Sequence, residues 1–182
     1  MAKRTFKTDL SVKGIENLKK ALLNYKDNIL QQKVDLLAKT LAENGVDIAR
    51  VNVAKLDAIF TGELISSIHT TYGGSTKGTA VFYIVADSKH AAFVEFGTGV
   101  IGESSPYPYP FPENIDWQYQ SGDSYVTLDR QFGKYPPGTY GWFYIKDGHL
   151  YFTQGMPSRP FMYETSMELM QLVVRTAKEV FA

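Results

Sequence analysis

A long amphipathic pattern between about residues 29 and 54 constrains the fold more than any other feature of the sequence. Apolar residues recur there at the spacing of one helix face, at Leu30, Val34, Leu37, Leu41 and Ile48. The pattern predicts a long helix with one face on a sheet and the other in water. A shorter helical pattern opens at Gly14. A final one follows Pro160, whose missing N–H is tolerated in a first helical turn.

Three segments between these helices are predicted to be strands. They are the second half of "TGELISSIHTTY" at 61–72, "TAVFYIVAD" at 79–87 and "HAAFVEF" at 90–96. All three are rich in apolar residues, and turn compositions separate them. We therefore expect an α+β fold, in which an antiparallel sheet is packed by a long N-terminal helix and a C-terminal helix.

The composition changes between residues 100 and 152. Fourteen of the 25 aromatic residues and six of the eight prolines lie in this stretch. It ends in a strong hairpin signal, with Asp147-Gly148 as the turn between two aromatic strands. We interpret 100–152 as an aromatic insertion within a single domain that spans residues 1–182.

Composition also excludes several classes of protein. The chain has no cysteine, which rules out disulfides and thiolate chemistry and suits a reducing cytoplasm. No apolar run is long enough for a membrane span, and the basic start is not followed by the apolar core of a secretory signal. We expect a protein made in the cytoplasm, with no membrane contact.

The net charge of zero hides a division along the chain. Residues 1–55 hold eleven Lys and Arg against six Asp and Glu, a net of +5, and residues 56–182 hold eight against thirteen, a net of −5. Solvated faces with a chance asymmetry would explain this, as would a basic end that meets the acidic end of a neighbouring copy. Head-to-tail packing of the second kind makes rings when the rotation closes.

Three sets of residues are candidates for a binding or catalytic site. Gly97-Thr98-Gly99 lacks the third glycine and the lysine of a phosphate site, so a structural turn is favoured. The three histidines are scattered and predict no metal site, and no cofactor is expected. Glu95, Glu113 and Asp116 would form an acid/base pair only if the insertion folded back over the strand, and solvated or paired carboxylates are the favoured alternative.

The aromatic insertion favours a protein partner over nucleic acid. It carries six acidic residues and only three basic ones, so it would repel phosphate, and sequence-specific nucleic-acid binding is not expected. Aromatic rings anchor protein interfaces, although a small separate core packed under the loop is an equally good explanation. The candidate interface residues are Tyr107, Tyr109, Phe111, Trp117, Trp142 and Tyr144.

Three motifs, taken in order, resemble the neck or tail-completion proteins that join head and tail in long-tailed bacteriophages. They are "TGELISSI" at 61–68, "HAAFVEFGTG" at 90–99 and "GMPSRPFMYETS" at 155–166. The resemblance covers about residues 10–99 and 150–182, but the insertion is much longer than the family's usual connection. The residues that match the motifs are Thr61, Gly62, Leu64, Glu95, Gly97, Thr98, Gly99, Pro157, Arg159, Pro160 and Phe161.

The resemblance implies a structural virion protein with no catalysis. Such a protein forms a ring, with six copies expected and twelve left open, between head-completion or connector proteins and the tail terminator or tail tube. The motifs also suggest that Glu95 pairs with Arg159, because a partly buried charge is costly when unpaired.

Other functions remain open at this point. A tail terminator or head-closure protein would differ in its neighbour rather than in its fold. A carbohydrate-active enzyme would use the aromatic loop as a sugar platform and Glu95 or Glu113 as its acid. A free-standing binding module would use the same loop to bind its target as a monomer.

Overall fold

The computed structural model describes residues 5–58, 62–119 and 125–182, and these form two compact units. The first unit contains the described residues up to 51 together with 66–86 and 164–182. The second contains the described residues of 52–65 and 87–163. The prediction of a single domain with an insertion stays a prediction, and each unit is described separately below.

Residues 12–55 are helical without a break. Helix α1 (Val12–Asn24) runs through a π-helical turn (Tyr25–Ile29) into helix α2 (Leu30–Lys55). Ser11 caps α1, because its side chain accepts a hydrogen bond from the Gly14 N–H at 3.0 Å. The two predicted helices are therefore confirmed. The sequence shows them as two separate patterns, whereas in the structure they form one continuous helical run.

The buried line of α2 consists of small residues rather than of the large apolar residues that reveal the helical pattern. It is formed by Ala42, Gly45, Val46, Ala49 and Val53. A Cβ added at Gly45 would meet the side chain of Ile84 and lie 2.9 Å from Leu169 Cδ1. In the first unit, the missing side chain thus lets α2 approach a strand and the C-terminal helix closely.

The first unit also contains an antiparallel hairpin of β1 (Ile68–Thr76) and β2 (Thr79–Ala86), with a register shift between Tyr72 and Gly74. The side chain of Gln31 on α2 holds its turn: Oε1 accepts from the Gly78 N–H at 2.7 Å, and Nε2 donates to Ser75 Oγ at 2.8 Å. These bonds fix the hairpin on the start of α2.

The C-terminal helix α6 (Phe161–Phe181) belongs to the first unit from Glu164 onward. Lys33 Nζ donates to the carbonyl of Val180 at 2.6 Å and lies 5.8 Å from the centre of the Phe181 ring. A cation placed on the last carbonyl groups of a helix stabilises its negative end. Lys33 therefore holds the end of α6 against α2.

The second unit contains short elements and a three-stranded antiparallel sheet in the order β3–β4–β5. Helix α3 (Glu63–Ser67) leads out of it into β1. Its remaining elements are the helices α4 (Ala91–Phe96) and α5 (Gly99–Ser104) and the strands β3 (Val126–Thr127), β4 (Tyr140–Lys146) and β5 (His149–Thr153). The predicted hairpin is confirmed, and its turn residues Asp147 and Gly148 have φ values of 51° and 76°.

The prediction of a third strand at 90–96 is wrong, because this segment forms α4. Ala91, Val94 and Glu95 are buried at the i, i+3 and i+4 spacing of a helix face. The three-stranded meander is therefore a two-stranded hairpin followed by a helix. The α+β class is confirmed, with a long N-terminal helix, a C-terminal helix and antiparallel sheets. No helix in the described part of the chain is both long and apolar enough to cross a membrane.

Candidate assembly site

Glu95, the lone charge in an apolar run, caps the first turn of α6. Its carboxylate accepts hydrogen bonds from the backbone N–H groups of Met162 at 2.8 Å and Tyr163 at 3.1 Å. The first N–H groups of a helix have no partner within the helix, and they favour a negative charge. Glu95 is only 7% exposed, so these charge-assisted bonds form out of water. It joins the end of α4 to the start of α6.

Gly97, Thr98 and Gly99 form a structural turn, as the sequence favoured. The two glycines have φ values of 80° and 69°, which other residues avoid. The N–H groups of the three residues donate in order to the carbonyl oxygens of Phe93 at 2.9 Å, Met156 at 2.9 Å and Tyr119 at 2.6 Å. Because all three amides bond to backbone carbonyl groups, this turn does not present them to a phosphate.

The turn and the segment before α6 approach each other too closely for side chains. Thr98 and Met156 exchange two backbone hydrogen bonds of 2.9 Å. A Cβ at Gly97 would lie 2.7 Å from the Ser158 N, and a Cβ at Gly155 would collide with the Thr98 carbonyl oxygen. Two of the three motifs thus form one tight backbone junction.

The predicted pair of Glu95 and Arg159 is not the contact that joins the two segments. Arg159 donates from Nε to the Leu56 carbonyl at 3.0 Å and from its backbone N–H to the Val94 carbonyl at 2.8 Å. Ser158 adds a hydrogen bond of 2.6 Å to the Glu95 carbonyl. The N-terminus of α6, with its partial positive charge, contacts Glu95 in place of the arginine that the sequence suggested. Backbone N–H donors leave no signal in a sequence, so this contact could not be predicted from it.

The other motif residues are placed as follows. Leu64 and Phe161 are buried at 7% and 0% exposure, Pro160 is also buried, and Pro157 is half-buried. Gly62 has a φ of 75° with open space around it. Thr61 lies outside the described residues. Most of these side chains serve packing.

Four of the six candidate interface residues form a core cluster within the second unit, which we call the aromatic cluster. Its rings contact one another around Phe96 at centroid distances of 5.0 to 5.6 Å. Tyr107 is 7% exposed, Tyr109 stacks on Tyr163 at 3.7 Å, and Trp117 donates from Nε1 to the Gly97 carbonyl at 2.9 Å. The fourth, Phe111, is 38% exposed and touches Phe96 and Tyr107. Much of this cluster therefore packs under the insertion.

The other two candidates lie on β4, and Tyr144 belongs to an exposed hairpin end. Trp142 contacts Tyr125, whose hydroxyl donates to the Tyr119 carbonyl at 3.2 Å, and burial raises the pKa of that hydroxyl. Tyr144 stacks on Tyr151 across the hairpin at 5.4 Å. The neighbouring pair, Ile145 and Leu150, is 75% and 53% exposed. The sequence analysis missed these two, although Ile-Lys-Asp-Gly-His-Leu around a turn places them at the tip.

The carboxylates that the sequence offers as an acid/base pair differ in their surroundings. A groove of about 740 Å³ lies in the second unit, and its lining includes Tyr135, Tyr140 and Gln154 but no carboxylate. Glu113 and Asp116 are exposed, whereas the Glu95 carboxylate binds α6. Within the described ranges, no cluster of His, Cys, Asp and Glu is arranged to hold a metal ion. Most glycoside hydrolases act with a pair of carboxyl groups that flank the glycosidic bond to be cleaved.

Comparisons with known proteins identify no relative of this chain. Searches against protein-family models, curated proteins and solved structures found no match for this chain.

Proposed function

We propose that the chain is a structural virion protein of the head–tail junction of a long-tailed phage. It assembles as a ring, with six copies expected, between head-completion or connector proteins and the tail terminator or tail tube. The observation that carries the proposal is the junction at the start of α6. There the Glu95 carboxylate and the Gly97–Gly99 turn join two motifs on which the resemblance rests.

The chemistry of this junction supports a structural role for the motif residues. The Glu95 carboxylate accepts hydrogen bonds from two backbone N–H groups. The N–H groups of the Gly97–Gly99 turn donate to backbone carbonyl oxygens. The motif therefore acts by holding the second unit in one conformation.

The exposed end of the β4–β5 hairpin suits contact with a neck or tail neighbour. Four apolar or aromatic side chains, at Tyr144, Ile145, Leu150 and Tyr151, are between 37% and 75% exposed. Tyrosine is enriched at the centres of protein interfaces, and exposed apolar side chains gathered in one place mark interaction surfaces. Two rings of the insertion, Tyr125 and Phe132, contact Trp142 and Phe143 on the first strand of this hairpin.

In vitro complementation tests the function. A lysate of the parent phage with a stop codon in this gene should hold filled heads and free tails. Added purified protein should restore plaque-forming particles, while Ile145→Asp should lower their yield on the order of tenfold or more, as loss of an interface anchor does.

The matched control is Val126→Asp, which places the same charge at an exposed residue of β3 in the same sheet. It should complement like the unchanged protein. Failure of the unchanged protein to restore particles would overturn the function. Equal yields from Ile145→Asp and Val126→Asp would overturn the role of the hairpin end alone.

A further inference from the structure

Helix α1 carries an apolar face that no described residue of the chain buries. No residue of α1 is buried, and Ile15, Leu22 and Leu23 are 51%, 45% and 43% exposed. Together with Leu18 they line a shallow groove of about 350 Å³, bordered by Lys19 and Lys26. Apolar side chains gathered on one exposed face of a soluble protein mark an interaction surface.

Helix α6 has a second apolar stripe opposite its packed face. Its packed face includes Thr165 and Thr176, which are 1% and 5% exposed. The outer stripe consists of Met167, Met170, Val174 and Phe181, which are 40%, 59%, 63% and 36% exposed. These four follow one another at spacings of three, four and seven residues, the repeat by which one helix packs along another.

We propose that α1 of one copy docks on the outer stripe of α6 of the neighbouring copy. The inference rests on the proposed ring and names the surfaces that join its subunits. The apolar residues of α1, from Ile15 to Leu23, extend over roughly 12 Å at 1.5 Å per residue, and the outer stripe of α6, from Met167 to Phe181, extends over roughly 21 Å, so the α6 stripe is long enough to cover the α1 face. Both have the 3–4 spacing of apolar residues that lets side chains interlock.

The charges favour α6 over a second α1 as the occupant. Helix α1 carries Lys13, Lys19 and Lys20, and the π-helical turn after it adds Lys26, against Glu16 and Asp27. Two α1 helices packed face to face would bring the lysines that border the groove together. Helix α6 carries Glu164, Glu168 and Glu179 against Arg175 and Lys178, and it belongs to the part of the chain with a net charge of −5. Opposite charges around an apolar centre fix which surfaces pair.

Different surfaces on the two partners also give the symmetry that a ring needs. A contact between α1 and α6 is heterologous, so each copy uses α1 toward one neighbour and α6 toward the other. Pairing of like helices would stop at a dimer.

Disulfide trapping tests this contact cleanly, because the chain has no cysteine. Leu18→Cys and Val174→Cys, each near the middle of its stripe and therefore close to the other whichever way the two helices run, are made as separate proteins, mixed and oxidised. The mixed disulfide dimer should form on the order of tenfold more than in a control mixture of Lys20→Cys and Glu179→Cys, since bridging requires Cα atoms within about 7 Å. Both control positions are exposed on the same helices, away from the stripes. Equal yields in the two mixtures would overturn the proposal.

The outcomes separate this inference from the proposed function. If the unchanged protein complements the lysate and the Leu18–Val174 disulfide forms no better than the control disulfide, the ring uses other surfaces and this inference alone fails. If the disulfide forms selectively in a protein that does not complement, the contact stands and the neck function fails. Far-ultraviolet circular dichroism of each cysteine variant confirms that it is folded before mixing.

Discussion

Replacing Glu95 by alanine is expected to lower the free energy of unfolding by about 3–5 kcal/mol. The change removes the acceptor of the Met162 and Tyr163 N–H groups, and each buried donor left without a partner costs about 1–3 kcal/mol. Glu95→Gln keeps one oxygen able to accept and should lose about half as much. Urea unfolding followed by circular dichroism measures all three proteins.

Glu113→Ala is the control for charge removal in the second unit, because Glu113 is exposed. It should change the free energy of unfolding by less than about 0.5 kcal/mol. A Glu95→Ala protein as stable as Glu113→Ala would show that the capping contact contributes nothing. Our account of the junction would then be wrong.

The second large effect is expected from Gly155→Ala. Gly155 has a φ of 100°, and a Cβ there would collide with the Thr98 carbonyl oxygen, a backbone atom held in a paired bridge. Since neither backbone segment can yield without breaking the Thr98–Met156 bonds, we expect a loss of about 3–5 kcal/mol or failure to fold. Thermal unfolding and the soluble fraction after expression measure it.

Gly148→Ala separates steric collision from backbone strain. Gly148 also has a positive φ, of 76°, but a Cβ there would meet nothing within 4 Å. Its replacement should cost only about 1 kcal/mol, the penalty of a left-handed conformation. If the two alanine variants were equally stable, close approach at the junction would not explain the conformation of the motif.

The long elements could be predicted from the sequence because their signals are long. Helix α2 repeats its apolar pattern over several turns, and Asp147-Gly148 specifies a hairpin by turn chemistry alone. The segment 90–96 could not be assigned in the same way, because a short apolar run fits a buried strand and a buried helix equally well. The tertiary packing of its buried residues selects the helix.

The sequence identifies the residues of the candidate site but not the contacts that they make. Glu95 stood out as a charge in an apolar run, and Gly97 and Gly99 as a turn. The partner of Glu95 is a pair of backbone N–H groups, which every residue other than proline carries, so only the fold could identify it. In the same way, aromatic composition could not distinguish Tyr107, which is buried, from Tyr144, which is exposed.

The mass of the protein in solution tests the central claim most directly. Light scattering over a concentration series, with negative-stain images of the same fractions and of a sample incubated with purified tails, reports both copy number and shape. We predict rings with a central hole, with six copies of the 20.4 kDa chain expected, in solution or at the end of the tail. A single chain at every concentration, with no ring on the tails, would contradict the account.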